Sequence, residues 1–315
     1  MKLESIVCDL CGGLDNISLF HARDYRFGHG EIFNIVRCIS CGLIYLNPRP
    51  TSDVIIKLYE EDYTPENDQN VLPKLEENHW KAYMRKIGRK IVGSYTDEIV
   101  DQSAGKVLDI GCGRGYLLQS LKQKGCEVFG VEANQNSVDI CHNLGLIVFH
   151  GNLEEAHYPD NFFDTVVLSQ VLEHLPSPQK TLREIWRILK SGGNLFIYTP
   201  NPKGYMAKVF GKYWHGWHIP FHFYALTAET MRKLAEETGF AINKISTITP
   251  TRFFIVSLKS YLWGDKISNI RPIEKGRFFE SSLFIIFISP LFRILDLFLP
   301  QKGDCLRVIM TKGNG

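Results

Sequence analysis

Between about residue 106 and residue 248, short apolar runs alternate with stretches whose apolar residues lie three or four positions apart. The runs are typical of buried strands, and the wider spacing is typical of helices. The pattern predicts strands at 107–110, 128–131, 147–149, 165–168, 195–198, 242–247 and 306–311, and helices at 116–124, 135–144, 178–190 and 227–238. Alternating strands and helices imply right-handed crossovers. We therefore predict an α/β fold with a seven-stranded, mostly parallel, doubly wound sheet.

Other regions surround this alternating core, and they divide the chain into five segments. The first 100 residues contain the paired cysteines, then a proline-rich boundary at 47–51, and then a helical pattern that continues to about residue 100. A long apolar segment separates the last two predicted strands. We predict a zinc-binding module at 1–46, a helical linker or cap at 47–100, the core at 101–251, an apolar helical insertion at 252–300, and the last strand with a tail at 301–315.

Four of the eight cysteines occur in two Cys-x-x-Cys pairs, Cys8 with Cys11 and Cys38 with Cys41. Each pair can offer two thiolates to adjacent corners of a tetrahedron, which is the geometry that Zn²⁺ prefers. A glycine follows each pair, where the tight turn favours a residue without Cβ. Four ligands leave no open position, so we predict a structural zinc ion rather than a catalytic one.

The charge balance limits the classes of partner, and the N-terminal residues indicate the compartment. The 36 basic and 34 acidic side chains give a net charge of +2, and no run of Lys or Arg exceeds two residues. This balance argues against nucleic acid as a partner. Residues 1–10 lack the long apolar stretch of a secretory signal, so we expect a cytoplasmic protein.

A glycine-rich loop follows the first core strand, with Gly111, Gly113 and Gly115 directly after Asp109-Ile110. Glycines let a ligand approach the backbone, and the N–H groups of the following helix favour negative charge. A dinucleotide site would have a further glycine at position 116, where this chain has tyrosine. Glu132 ends the next strand, 21 residues after Gly111, where a carboxylate can accept from both hydroxyls of a ribose. The pattern suits an amino-acid and ribose ligand without a pyrophosphate.

Four motifs in this order resemble class I S-adenosylmethionine-dependent methyltransferases, which have a Rossmann-like sheet. They are Val-Leu-Asp-Ile-Gly-Cys-Gly-Arg-Gly at 107–115, Val-Glu at 131–132, Val-Leu-Glu-His-Leu at 171–175 and Leu-Lys-Ser-Gly-Gly at 189–193. The resemblance implies S-adenosylmethionine as the cofactor. By position in that family, the residues expected to bind its methionine end, ribose and adenine are Asp109, Gly111, Gly113, Glu132, Asn152, Leu153 and Gln170.

Two segments resemble a bacterial subgroup of these enzymes that carries an N-terminal four-cysteine zinc module. They are Arg-Cys-Ile-Ser-Cys-Gly-Leu-Ile-Tyr-Leu-Asn-Pro-Arg-Pro at 37–50 and Tyr-Trp-His-Gly-Trp-His-Ile-Pro-Phe-His-Phe at 213–223. The subgroup usually acts in sugar, polysaccharide or lipid biosynthesis. Its pattern commonly has arginine where this chain has Phe221, so this chain departs from the subgroup at a position expected near the methyl acceptor.

A hydroxyl group that receives a methyl group must lose its proton, which requires a base. Several histidines of this chain are candidates for that base. We predict that His222 is the catalytic residue, because the family keeps a histidine there, with His174 as the second candidate. The alternative is that these histidines only donate to backbone carbonyls or cap turns, which we expect for His215.

The insertion contains the apolar stretch 283–299, which is too short and too interrupted by Pro290, Arg293 and Asp296 to favour a membrane span. Two interpretations remain for it: a helical lid packed on the core, or an interfacial segment in peripheral contact with a membrane or a lipid tail.

Three functions follow from these patterns. The first is methyl transfer to a hydroxyl or carbon of a sugar, glycan or lipid-linked small molecule. The second is methylation of a ribosomal RNA base, which the near-zero net charge disfavours. The third is a non-catalytic zinc protein that binds the cofactor, which the intact glycine loop and Glu132 disfavour.

Overall fold

The computed structural model describes residues 1–62, 95–265 and 276–313. Near the N-terminus, two small sheets surround the paired cysteines. A short antiparallel pair joins β1 (Leu3–Glu4) to β5 (Arg49–Pro50). A second, antiparallel sheet contains β2 (Asn16–Arg23), β3 (Ile32–Cys38) and β4 (Ile44–Leu46). This sheet gains a fourth strand, β11 (Tyr224–Ala225), from a distant part of the chain, so the N-terminal module and the core share a sheet.

The alternating pattern forms the predicted core, with its elements in the predicted order. The strands are β6 (Lys106–Ile110), β7 (Glu127–Glu132), β8 (Ile147–His150), β9 (Phe163–Ser169), β10 (Leu189–Pro200), β12 (Phe240–Ile248) and β13 (Cys305–Lys312). The helices are α1 (Ser52–Asp62), α2 (Tyr95–Gln102), α3 (Tyr116–Gln123), α4 (Gln135–Asn143), α5 (Pro178–Ile188), α6 (Tyr205–Phe210) and α7 (Ala228–Thr238). The part of the predicted 47–100 helical segment at 63–94 lies outside the described residues.

The core sheet has seven strands in the order β12-β13-β10-β9-β6-β7-β8. All described pairings are parallel except those of β13, which runs antiparallel to both β10 and β12. The prediction of a seven-stranded, mostly parallel sheet is confirmed. The order in which the chain adds strands to the sheet reverses between the neighbouring strands β6 and β9. In such sheets ligands bind at the carboxyl ends of the strands near the point of reversal.

The helix predicted at 178–190 ends earlier than expected. In the structure α5 ends at Ile188, and Leu189 already pairs with Phe163 at the beginning of β10. Leu189 is buried, and the strand is irregular between Leu189 and Asn194. By pattern alone, an apolar residue such as Leu189 fits the end of an amphipathic helix and the beginning of a strand equally well. Its pairing with Phe163 in the sheet makes it part of the strand.

Among the residues that the structure describes, the insertion between β12 and β13 contains the α-helices α8 (Thr251–Trp263) and α9 (Ser282–Phe298). Pro290 lies inside α9. Within the described residues, no helix is long and apolar enough to cross a membrane. The inner side of the insertion packs on α6 and on the aromatic segment that follows it, around the buried side chains of Trp214, Phe253 and Phe292.

Candidate functional site

The four predicted zinc ligands lie together in the N-terminal module. The thiol sulfurs of Cys8 and Cys41 are 3.4 Å apart, those of Cys11 and Cys38 are 3.5 Å apart, and all four lie within 4.8 Å of one another. Gly12 and Gly42 follow the pairs with φ of +68° and +82°, a conformation that glycine adopts without strain. Four sulfurs at these separations suit a single tetrahedral metal ion, so the residues present fit zinc.

Direct contacts dock this module on the core beside the candidate acceptor site. Asp9, between the first two cysteines, accepts from the Ser177 hydroxyl at 2.6 Å and from the Gln179 backbone N–H at 3.1 Å. Arg49 donates to the Pro176 carbonyl at 2.8 Å and to the Tyr224 hydroxyl at 3.2 Å. Because His174 lies only two residues before Pro176, the N-terminal module helps to fix the loop that carries a candidate catalytic residue.

The glycine loop lies at the carboxyl end of β6, next to the loop that follows β9. Gly111, Gly113 and Gly115 all have positive φ, so the backbone takes a path that other residues rarely adopt. A Cβ on Gly111 would lie 2.5 Å from a methyl carbon of Val171. The glycine at this position therefore allows the two loops to approach each other where the predicted cofactor would bind.

Glu132 lies at the carboxyl end of β7, where the sequence placed the ribose-binding residue. One oxygen of its carboxylate accepts from the Gly113 N–H and the other from the Asn134 N–H, each at 2.8 Å. Each oxygen can accept a further hydrogen bond. Glu132 thus shapes the glycine loop and keeps acceptor capacity for a pair of hydroxyl groups.

The other predicted cofactor residues lie along the same edge of the sheet. Asp109 is buried at the end of β6, and burial together with the Glu132 charge raises its pKa to about 8. Asn152 is exposed and donates its backbone N–H to Glu155, whereas Leu153 is buried in the core. Gln170 has a φ of +58°, and its side-chain amide donates to the Cys305 thiol at 3.4 Å. Their contacts with a cofactor stay predictions.

His174 and His222 lie side by side, with ring centroids 4.4 Å apart and nearly perpendicular planes. The Nδ1 of His222 lies 2.8 Å from the Gly216 carbonyl, and the Nδ1 of His174 lies 3.0 Å from the Phe221 carbonyl. A carbonyl can only accept, so in both rings Nδ1 carries the proton and Nε2 keeps its lone pair. The structure thus brings the two predicted catalytic histidines together in the tautomer that a base requires.

The surroundings keep these imidazoles neutral. Burial lowers the pKa of His174 to about 4 and holds the pKa of His222 well below 6.5. A second cause acts on His222, because a charge on neighbouring His174 would repel its own. Both rings are therefore uncharged near neutral pH and can accept a proton.

Sequence reasoning missed three residues that lie beside this histidine pair or contact the neighbouring His218. The Tyr59 hydroxyl, on α1, lies 2.6 Å from Nδ1 of His174. Arg26, from the N-terminal module, donates at 3.1 Å to Nε2 of His218, whose ring centroid lies 4.9 Å from that of His222. Glu173 lies inside the quoted Val-Leu-Glu-His-Leu motif, so the sequence held a signal for it. For Tyr59 and Arg26 no spacing pointed to a contact 115 or 192 residues away.

Glu173 adds a buried carboxyl group to the cluster. Burial raises its pKa to about 8, and neither of its oxygens makes a hydrogen bond within the described part of the chain. Glu173, His174 and His222 each offer one ligand atom, and these atoms lie within 4.8 Å of one another. The three side chains could serve a proton transfer or hold a divalent metal ion.

His215 and the remaining cysteines have structural surroundings. The backbone N–H of His215 donates to Ser257 on α8, and its ring packs against Phe253 at 5.1 Å. The four cysteines outside the two pairs are buried, namely Cys112, Cys126, Cys141 and Cys305. Burial raises the pKa of Cys305 to about 12, so its thiol is inert near neutral pH.

Comparison with known proteins places this geometry in a family. A family model described as a methyltransferase domain matches residues 80–245, which is more than half of the chain. The ubiquinone biosynthesis O-methyltransferase of Pseudomonas fluorescens is 32% identical over 127 residues, which cover 38% of this chain and 55% of that protein. The same enzyme of Aeromonas salmonicida is 28% identical over 169 residues, with coverages of 48% and 71%. The chain thus spans little more than half the length of the Pseudomonas relatives.

Solved structures agree on the fold. The crystal structure of the 4+2 cyclase SpnF has a TM-score of 0.52 at 18% identity, and the match covers 85% of this chain and 98% of SpnF. A likeness at this identity shows the fold alone. The family match, by contrast, includes the glycine loop, Glu132 and the segment with His174 and His222. The chain therefore belongs to the methyltransferase domain family.

Proposed function

We propose that this methyltransferase acts on a hydroxyl of a sugar, glycan or lipid-linked small molecule, and that His222 accepts the hydroxyl proton. The observation that carries the proposal is the hydrogen bond from Nδ1–H of His222 to the Gly216 carbonyl, which places the lone pair that can accept a proton on Nε2. The relatives named O-methyltransferases favour a hydroxyl over a carbon acceptor. The net charge of +2 disfavours an RNA acceptor.

Bound S-adenosylmethionine supplies an activated methyl group on a positively charged sulfur. Glu132 would hold the ribose, and the glycine loop would lie against the methionine end. His222 Nε2 would take the proton as the acceptor oxygen forms its bond to the methyl carbon and the carbon–sulfur bond breaks. Because burial keeps His174 uncharged, its ring 4.4 Å away would add no positive charge that opposes the proton on His222. Most of the rate would come from positioning, since the methyl group is already activated.

We also propose that the four paired cysteines bind one structural zinc ion. The support is the close packing of the four sulfurs and the docking of the module through Asp9 and Arg49. On this proposal zinc supports the acceptor side of the site from outside, and it takes no part in the chemistry.

The experiment combines the purified protein with methyl-labelled S-adenosylmethionine and a panel of nucleotide sugars, glycans, lipid-linked sugars and ribosomal RNA. We expect label in a sugar or lipid-linked acceptor, and a large loss of turnover in His222→Ala without loss of affinity for S-adenosylhomocysteine. His21→Ala is the matched control, because His21 is an exposed histidine on β2. Label only in RNA, or normal turnover of His222→Ala, would contradict the proposal.

A further inference from the structure

Glu173 is a buried carboxyl group whose role in the site has no structural explanation so far. Its side chain is fully buried, yet neither carboxyl oxygen makes a hydrogen bond to any residue that the structure describes. Native proteins leave few buried polar groups unpaired, because such a group loses its hydration without gaining a partner. A buried carboxyl group of this kind is therefore a candidate ligand for an ion.

The two histidines next to this carboxyl group have the arrangement that metal-binding histidines adopt. The Nδ1 of His174 faces the Phe221 carbonyl at 3.0 Å, and the Nδ1 of His222 faces the Gly216 carbonyl at 2.8 Å. A histidine that binds a metal almost always donates its other N–H in this way, because the bond fixes the tautomer and orients the ring. In both rings the lone pair for an ion is therefore on Nε2.

The three side chains are close enough to share one ion. Glu173, His174 and His222 each offer one ligand atom, and these atoms lie within 4.8 Å of one another. Imidazole and carboxylate ligands bind zinc at about 2.0–2.2 Å, which places neighbouring ligand atoms of a tetrahedral ion about 3.4 Å apart. Small side-chain rotations would close this difference. Two histidines and one glutamate are also a known set of protein ligands for zinc.

The surroundings determine how tightly an ion binds here. Both imidazoles are uncharged, so the carboxylate alone brings negative charge to the ion. Arg26 lies nearby, since it donates to His218, whose ring centroid is 4.9 Å from that of His222. Its positive charge opposes a cation. The four paired cysteines, by contrast, can supply four thiolates, so we expect them to bind zinc first and more tightly.

We infer that Glu173, His174 and His222 form a second metal site, which takes a zinc ion or a similar divalent ion, and that this ion stops methyl transfer. The ion would occupy the Nε2 lone pair with which His222 accepts the proton of the acceptor hydroxyl. Ion and proton would therefore exclude each other at this atom. The metal site follows from the three side chains alone, whereas the effect on turnover rests on the proposed function.

The test uses the full chain with its four-cysteine site filled with zinc, titrated with Co²⁺ and followed by the visible absorption of bound cobalt. We expect one further equivalent to bind and added Zn²⁺ to displace it. Glu173→Gln, which keeps the size of the side chain, should weaken this binding by about tenfold or more, since even groups that only orient a ligand contribute about 10- to 100-fold. His174→Gln is the second variant, in case Glu173→Gln does not fold. Glu127→Gln, an exposed position on β7, is the matched control.

Affinity for S-adenosylhomocysteine is measured on every variant, so loss of metal binding is separated from damage to the cofactor site. In turnover of the acceptor identified by the panel, Zn²⁺ should inhibit the wild type over the concentrations at which it displaces Co²⁺, and gel filtration should restore the rate. A wild type that binds no second equivalent, or equal Co²⁺ binding by Glu173→Gln and Glu127→Gln, overturns the metal site and leaves the proposed function standing. Zn²⁺ that binds at this site without slowing turnover overturns the inhibition and the role of His222 as the base.

Discussion

Replacing Glu132 by alanine tests the cofactor site at the residue where sequence and structure agree best. The carboxylate lies at the end of β7, accepts from the Gly113 and Asn134 N–H groups, and keeps capacity for two ligand hydroxyls. The change removes the charged acceptor for the ribose. It also removes one hydrogen bond that shapes the glycine loop.

The magnitude follows from the kind of bond lost. A hydrogen bond to a charged group contributes about 1.5–3 kcal/mol. Since about 1.4 kcal/mol corresponds to a factor of ten, Glu132→Ala should weaken the binding of S-adenosylmethionine and S-adenosylhomocysteine by about 10- to 150-fold. Glu132→Gln should have a smaller effect, because the amide keeps one oxygen acceptor and places an NH₂ group at the other position.

Isothermal titration with both ligands, and with NAD as a third, measures the effect, and thermal unfolding shows whether each variant is folded. Glu127→Ala is the control, because Glu127 is exposed at the opposite end of the same strand. A folded Glu132→Ala protein with unchanged affinity would refute the assignment of the ribose site. NAD binding by the wild type would refute the choice of cofactor.

Further predictions concern the metal, the base and the glycine loop. The purified protein should contain one zinc ion per chain, and Cys38→Ser should lose it and unfold at a lower temperature, whereas Cys126→Ser should keep it; metal analysis that finds no zinc in the wild type would contradict this. His222→Ala should slow turnover by about 10²- to 10⁴-fold, and single-turnover kinetics that show no loss would exclude a base there. Because burial keeps the pKa of His222 well below 6.5, the rate should stay level as the pH falls to 6.5 and decline only in more acidic solution; half-maximal rate at pH 6.5 would indicate an unperturbed histidine. Gly111→Ala should cost about 1–2 kcal/mol of stability for its positive φ alone, which denaturant unfolding measures.

The fold was accessible from the sequence because its elements repeat a strong local pattern. Each core strand contains a short apolar stretch, and Gly12, Gly42 and Gly111 occupy backbone positions with positive φ. These signals lie within a few residues of one another, so tertiary contacts are not needed to recognise them.

Other features depend on contacts between distant segments. β11 has only two residues, so no periodicity marks it, and its pairing with β4 connects the core to the N-terminal module. The Tyr59 contact with His174 depends on where α1 packs. Whether residue 189 belongs to a helix or a strand is decided by its partner Phe163. In each case the deciding energy comes from tertiary packing, which a local pattern does not contain.

A crystal structure with bound S-adenosylhomocysteine would test the central claim most directly. The account predicts one ligand at the carboxyl ends of β6 and β7, with both ribose hydroxyls within hydrogen-bond distance of Glu132 and the adenine between Asn152 and Leu153. The sulfur should face the side of the site that holds His174 and His222. A ligand bound elsewhere, or one whose sulfur points away from both histidines, would contradict it.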